Sequence, residues 1–175
     1  ADVTDAPRVS GSQAGPTRAM LDEIGARLAG AEQPILIVGG PGWSRAVEDD
    51  IKAFALRFDL PVAAAFRAQD YIDNRHPSYC GHIGINMDRR LATAIRASDL
   101  LLVLGAPLDE IGTGGWSIIK SPVPTQHIIH VHPGGLDPRA AVRPNLQILA
   151  TSEAFAAELR SLEPPPERPW RAFRR

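Results

Sequence analysis

The sequence predicts an α/β fold: a three-layer α/β/α Rossmann-like domain around a mainly parallel sheet of about five to six strands. Three observations carry this expectation. Residues Pro34 to Val38 form an unbroken strand-compatible run that ends in a glycine corner, Gly39, Gly40, Pro41 and Gly42. Beyond the corner Val47, Ile51, Phe54, Ala55 and Phe58 recur at the spacing of one helical face, and a second strand-like run starts at Pro61. Strand-like and helix-like segments then alternate to the end of the chain with no repeat or low-complexity block, as a doubly wound sheet requires.

Taken in order, Pro16 and Thr17 start a helix that places Met20, Leu21, Ile24 and Leu28 on one side, and Gly30 stops it. The run from Pro34 to Val38 suits a strand covered on both faces. Ser44 is positioned to cap the following helix, and Pro61 to Ala65 form the second strand. From Phe66 to Met87 regular patterns fail; a loop of that length carries function or hides a short strand, for which Tyr79 and Cys80 are the candidates. Asp88 caps a short helix with Leu91, Ala94 and Ile95, and Leu100 to Leu104 is the next buried strand, ended by Gly105. After an irregular stretch from Ala106 to Val123, strands are expected at His127 to His132 and Gln147 to Leu149. Ser152 then caps a last helix displaying Phe155, Leu159 and Leu162.

Composition narrows the function classes. A 44% apolar and 22% charged chain of 175 residues suits one globular domain, and a net charge of −1 gives no footing for nucleic acid. One cysteine, Cys80, allows no internal disulfide and points to a cytoplasmic setting. The longest aliphatic run, Leu100 to Leu104, is too short to cross a bilayer, so no membrane partner is expected. Residues 1–16 and 163–175, rich in small residues and proline, read as linkers around a domain at 17–162, and the whole as a module from the middle of a longer polypeptide.

No catalytic set emerges from the residues. Gly40 and Gly42 match only the first two glycines of a dinucleotide fingerprint, and Ala64, Ala65 and Phe66 stand where a ribose-binding acid belongs. The corner serves a sharp turn or a nucleotide, and the motif does not decide between them. His130 and His132 share a strand face from which His127 points away, and no cysteine or carboxylate in that strand completes a zinc tetrahedron, so loop or core-edge contacts are expected. Cys80 and His82 are neighbours in sequence without a third orienting group. Asp109 and Glu110 are adjacent loop carboxylates of the kind that face water. Three glycine-bearing loops, at Gly39 to Gly42, Gly81 to Gly84 and Gly105 to Gly115, are expected to converge beyond the carboxyl ends of the strands, with Gly39, Gly81 and Gly105 bordering one cleft.

Four stretches in order, PILIVGGPG at 34–42, HPSYCGHIG at 76–84, ASDLLLVLGAPLDE at 97–110 and HIIHVHPGGLDPR at 127–139, resemble the central domain of thiamine-diphosphate-dependent enzymes. That family includes acetolactate synthase, benzoylformate decarboxylase, pyruvate oxidase and oxalyl-CoA decarboxylase. The resemblance implies a parent that acts on a 2-oxo acid or related acyl donor as a homo-oligomer. Thiamine diphosphate and Mg2+ would be held by flanking pyrimidine- and pyrophosphate-binding domains, and the 175 residues alone would be inactive. It further implies an FAD or ADP cleft at Gly39, Gly40, Gly42, Gly81, His82, Gly84, Gly105, Ala106, Asp109 and His132. The chain departs from the acetolactate synthases of that family at Ile111, where they carry a base, and at His132 and Gly134, where they carry acids. Those changes remove a phosphate contact and a ribose partner. The expected role is therefore a non-catalytic scaffold with a vestigial FAD/ADP cleft. The alternative is a free-standing nucleotide-binding module like the FAD domain of electron-transfer flavoproteins. A sirtuin-like enzyme, for which the chain has no zinc ribbon, ranks last.

Overall fold

The computed structural model describes residues 14–134 and 140–166. Most of both expected linkers lies outside these residues, as does 135–139 in the last motif. The elements run α1 (Arg18–Gly30), β1 (Pro34–Val38), α2 (Arg45–Phe58), β2 (Val62–Ala64), β3 (Tyr79–His82), α3 (Arg89–Ala97), β4 (Leu100–Leu104), β5 (His127–His132), β6 (Leu146–Leu149) and α4 (Ser152–Glu158), with a 3-10 turn at Leu159–Ser161. All six strands are parallel, in the order β3-β2-β1-β4-β5-β6. This is the doubly wound order, and it reverses direction between β1 and β4.

Alternation along the strands divides the core in two. Leu36 and Val38 of β1 with Leu100, Leu102 and Leu104 of β4 face α1, α2 and α4, where Ile24, Ile51, Phe54 and Phe155 are fully buried. Ile35, Ile37, Leu101 and Val103 face the other way, onto α3 and the segment through Ile118 and Ile119. Every residue of β1 and β4 is buried, which explains their unbroken apolar sequences.

The caps expected at Ser44 and Asp88 are present, and Thr17 caps the helix it was expected to start. Thr17, Ser44 and Asp88 accept from Met20, Val47 and Arg90 amides, and Asp59 closes α2 in the left-handed region at φ 54°. At α4 the cap is Thr151, whose Oγ1 accepts the Ala154 amide at 3.1 Å, and not Ser152. Ser152 is the first helical residue and is buried; its hydroxyl turns back to donate to the Pro41 carbonyl at 3.2 Å. The strand expected at Pro61 to Ala65 is assigned only from Val62 to Ala64, although both flanks stay on the ladder: Leu36 N donates to Pro61 O and Ala65 N to Val38 O. The hidden strand in the long loop is real and runs two residues beyond Cys80, making the outer edge beside β2. β6 starts one residue before Gln147.

Candidate functional site: the crevice at the strand-order reversal

Ligands of doubly wound sheets lie outside the carboxyl ends of the strands, where the order reverses. Here that point is bounded by the loops after β1 and β4, and their glycines bring the two backbones into contact. Gly40 adopts φ 76°, and a Cβ on it would sit 1.8 Å from the Gly105 carbonyl oxygen. Reciprocally, Gly105 has φ 71° and a Cβ there would lie 2.3 Å from the Gly39 oxygen. A Cβ on Gly39 would meet Ala65 and Ala106 at 2.7 and 3.0 Å. Gly39 N donates to Leu104 O at 2.9 Å and Gly105 N to Val131 O at 2.7 Å, so both turns continue the ladder before they cross. Three of the nominated glycines are thus required by packing between loops.

Side chains pin this corner from outside. The Tyr71 hydroxyl donates to Gly40 O at 2.7 Å, and Trp43 stacks on Tyr71 with centroids 4.6 Å apart while its Nε1 donates to Tyr71 O. From β5, His130 donates through Nε2 to Ala106 O at 2.9 Å; burial pushes its imidazole below the ordinary value, and the Ala106 hydrogen bond opposes that shift. His130 therefore belongs to the expected class of loop-contact histidines. His132 lies beside it, rings 5.7 Å apart, and its Nδ1 accepts from Gly134 N. His127 faces the opposite side, next to Arg27 of α1, and burial lowers its pKa as well. Among the described residues no three histidine, cysteine or carboxylate side chains are grouped as metal ligands.

The remaining nominated residues lie on β3, just past it, and in the loop after β4. Gly81 is inside β3, and its α-carbon faces Leu91 of α3. His82 ends that strand, paired with Ala64, and Gly84 packs on Phe66. Asp109 is occupied within its own loop: Oδ1 accepts Gly112 N at 2.7 Å, and its carbonyl takes the Thr113 hydroxyl. That loop continues through a left-handed run, Gly114, Gly115 and Trp116 at φ 60°, 62° and 62°, and is fastened by buried Gln126, whose Nε2 donates to Ile95 O and Ile118 O.

Open space lies to the α2 side. Gly42, at φ 76°, has nothing within 4 Å of a Cβ, and it borders a cavity of about 440 Å3 with Trp43, Ser44, Arg45, Glu48, Asp70 and Tyr71. A neighbouring cavity of about 490 Å3 shares Arg45, Glu48 and Asp70 and extends to Lys52, Asp73 and Arg75. The cations of this groove are matched by carboxylates: Lys52 holds Glu48 at 3.2 Å and Asp49 at 2.9 Å, and Arg75 pairs with Asp73. The local pattern of the sequence did not single out Trp43, Arg45 or Glu48. Asp70 and Tyr71 do fall in the long loop where function was expected.

A doubly wound parallel sheet with glycine turns crossing at its reversal point defines a Rossmann-type domain. Comparison with known proteins narrows this. Residues 21–159 match the family described as "Thiamine pyrophosphate enzyme, central domain", and the chain belongs to that family. It is 28% identical over 100 residues to the acetolactate synthase large subunit of Cyanidium caldarium, covering 57% of this chain and 17% of that protein. Over 93 residues it is 31% identical to sulfoacetaldehyde acetyltransferase of Castellaniella defragrans, covering 53% of this chain and 16% of that protein. The crystal structure of benzoylformate decarboxylase from Polynucleobacter necessarius shares the fold, with a TM-score of 0.67 at 24% identity, covering 97% of this chain and 32% of that one. The chain thus spans about a sixth of the first two relatives' length. Among the described residues no helix is long and apolar enough to cross a membrane.

Proposed function

We propose that this chain is the non-catalytic central domain of a thiamine-diphosphate-dependent decarboxylase or carboligase, holding the two cofactor-binding domains of an oligomeric, cytoplasmic parent in position. The observation that carries the reading is the crossing of Gly40 and Gly105, because it spends the glycine corner on joining loops. A dinucleotide such as FAD laid across the reversal point would meet that crossing. The Gly39 and Gly105 amides, the kind of donor a pyrophosphate would need there, are already given to Leu104 O and Val131 O. On this reading the nominated set does not hold FAD in that position. Thiamine diphosphate and Mg2+ belong, on this reading, to flanking domains and not to these residues.

A second reading is favoured by the open Gly42 face. ADP would have room in the groove between α2 and Asp70, with the Arg45 and Ala46 amides that precede the capped Val47 amide near its phosphates. The lining weakens this, since its cations Arg45, Lys52 and Arg75 each already face a carboxylate. Thermal denaturation with 1 mM ADP or FAD, about a hundred times a 10 μM dissociation constant, tests both. The scaffold reading expects no shift from either ligand. A rise of several degrees with ADP would replace it with the nucleotide-binding reading.

A further inference from the structure

Resting on the scaffold reading, we propose that the carboxyl edge of the sheet is the docking face for the domain preceding this one in the same polypeptide. The path of the chain carries the argument. α1 leads into the start of β1, so its first turn lies at the carboxyl edge, and Ala14 O there accepts the amide of Thr151, two residues beyond the end of β6. Gly15 packs against Ala154 at the start of α4. The other end leaves from the opposite edge: Arg57, near the end of α2, donates to the carbonyls of Leu159 and Leu162, and Gly25 faces Leu162. A preceding domain is thus tethered beside the crevice, and a following one is tethered on the far side of the sheet.

The carboxyl edge also presents apolar side chains to water. Ile85, between Gly84 at φ 125° and Asn86 at φ 63°, is 62% exposed just past β3, and Ile111 is 40% exposed past β4. Leu149, the last residue of β6, is 49% exposed. They follow β3, β4 and β6, and so are spread along an edge of about 24 Å between its outer strands, five gaps of about 4.8 Å. A lone exposed isoleucine needs no explanation. Its placement along the edge where the chain arrives gives these three a shared one.

Photo-cross-linking in the complete natural gene product tests the proposal. Benzoylphenylalanine replaces Ile85 or Ile111 in turn, with Leu56, 56% exposed on α2, as the control position. All three side chains are at the surface, so the fold tolerates the change. Cross-linked peptides from Ile85 and Ile111 are expected to come from the polypeptide before residue 1, and Leu56 is expected to give none from that region. Cross-links to the following domain, to another copy of this domain or to nothing overturn the docking assignment and leave the scaffold reading standing. A gene with no coding sequence before residue 1 ends both.

Discussion

Replacing Gly40 by alanine isolates what the crossing of the two glycine loops contributes. Two costs are expected. The left-handed backbone at φ 76° penalises any Cβ by about 1–2 kcal/mol. The second cost is steric, because the new carbon would lie 1.8 Å from Gly105 O and 2.4 Å from Gly105 C, atoms of backbone that cannot swing aside. Parting the loops strains Gly39 N to Leu104 O and loosens Ala65 and Ala106 below, a distortion of about 1–3 kcal/mol by analogy with overpacked cores. The sum is about 2–5 kcal/mol. Gly42→Ala is the internal reference: the same φ of 76°, with nothing within 4 Å, leaves only the backbone cost. In a domain of this size 1 kcal/mol moves the midpoint of thermal unfolding by about 2–4 °C. Calorimetry should therefore place Gly40→Ala well below Gly42→Ala, which itself loses about 2–8 °C. Equal midpoints would show that the loops do not touch as described and that the reversal point is open to a ligand.

Two further outcomes follow from other contacts. His127 and His130 both have folded pKa values below the ordinary 6.5, burial being the main cause, so the unfolded chain binds more protons on acidification. Stability is then full above about pH 6.5 and falls as the pH drops toward the folded values, and the urea midpoint of a His127→Gln/His130→Gln variant should change less over that window. Arg57→Lys should destabilise by about 1–3 kcal/mol and speed proteolysis after Leu159, because a single ammonium cannot reproduce the fork that holds the Leu159 and Leu162 carbonyls; unchanged cleavage would show that the fork is dispensable.

The sequence announced the sheet well because its signals are local. The runs at Pro34 to Val38 and Leu100 to Leu104 are apolar throughout, and only strands with both faces covered remain so. Caps at Ser44 and Asp88 were legible for the same reason, each acting within three residues of itself. At α4 two hydroxyl residues stand side by side; the helix starts at Ser152, so the cap is Thr151, and the Ser152 hydroxyl goes to Pro41, 111 residues away. The candidate site shows the limit more clearly. That Gly39, Gly40 and Gly105 would meet could be expected from their places after strands. That they would meet through their own backbones could not, since the contact depends on the relative approach of two loops. The Tyr71 bond to Gly40 and the His130 bond to Ala106 are likewise long-range and leave no periodic trace.

The crossover between β4 and β5 has a consequence of its own. Asp109, Thr113 and Glu110 satisfy its turns from within, while Ile118, Ile119 and Gln126 clamp its base to α3 and the sheet. Such a segment behaves as an exchangeable cassette. Its exposed positions, Glu110, Ile111, Gly114 and Gly115, can change character while Thr113 and Trp116, packed beneath them, and the clamp stay put. The mouth of the crevice can thereby change in this chain without renegotiating the fold beneath it.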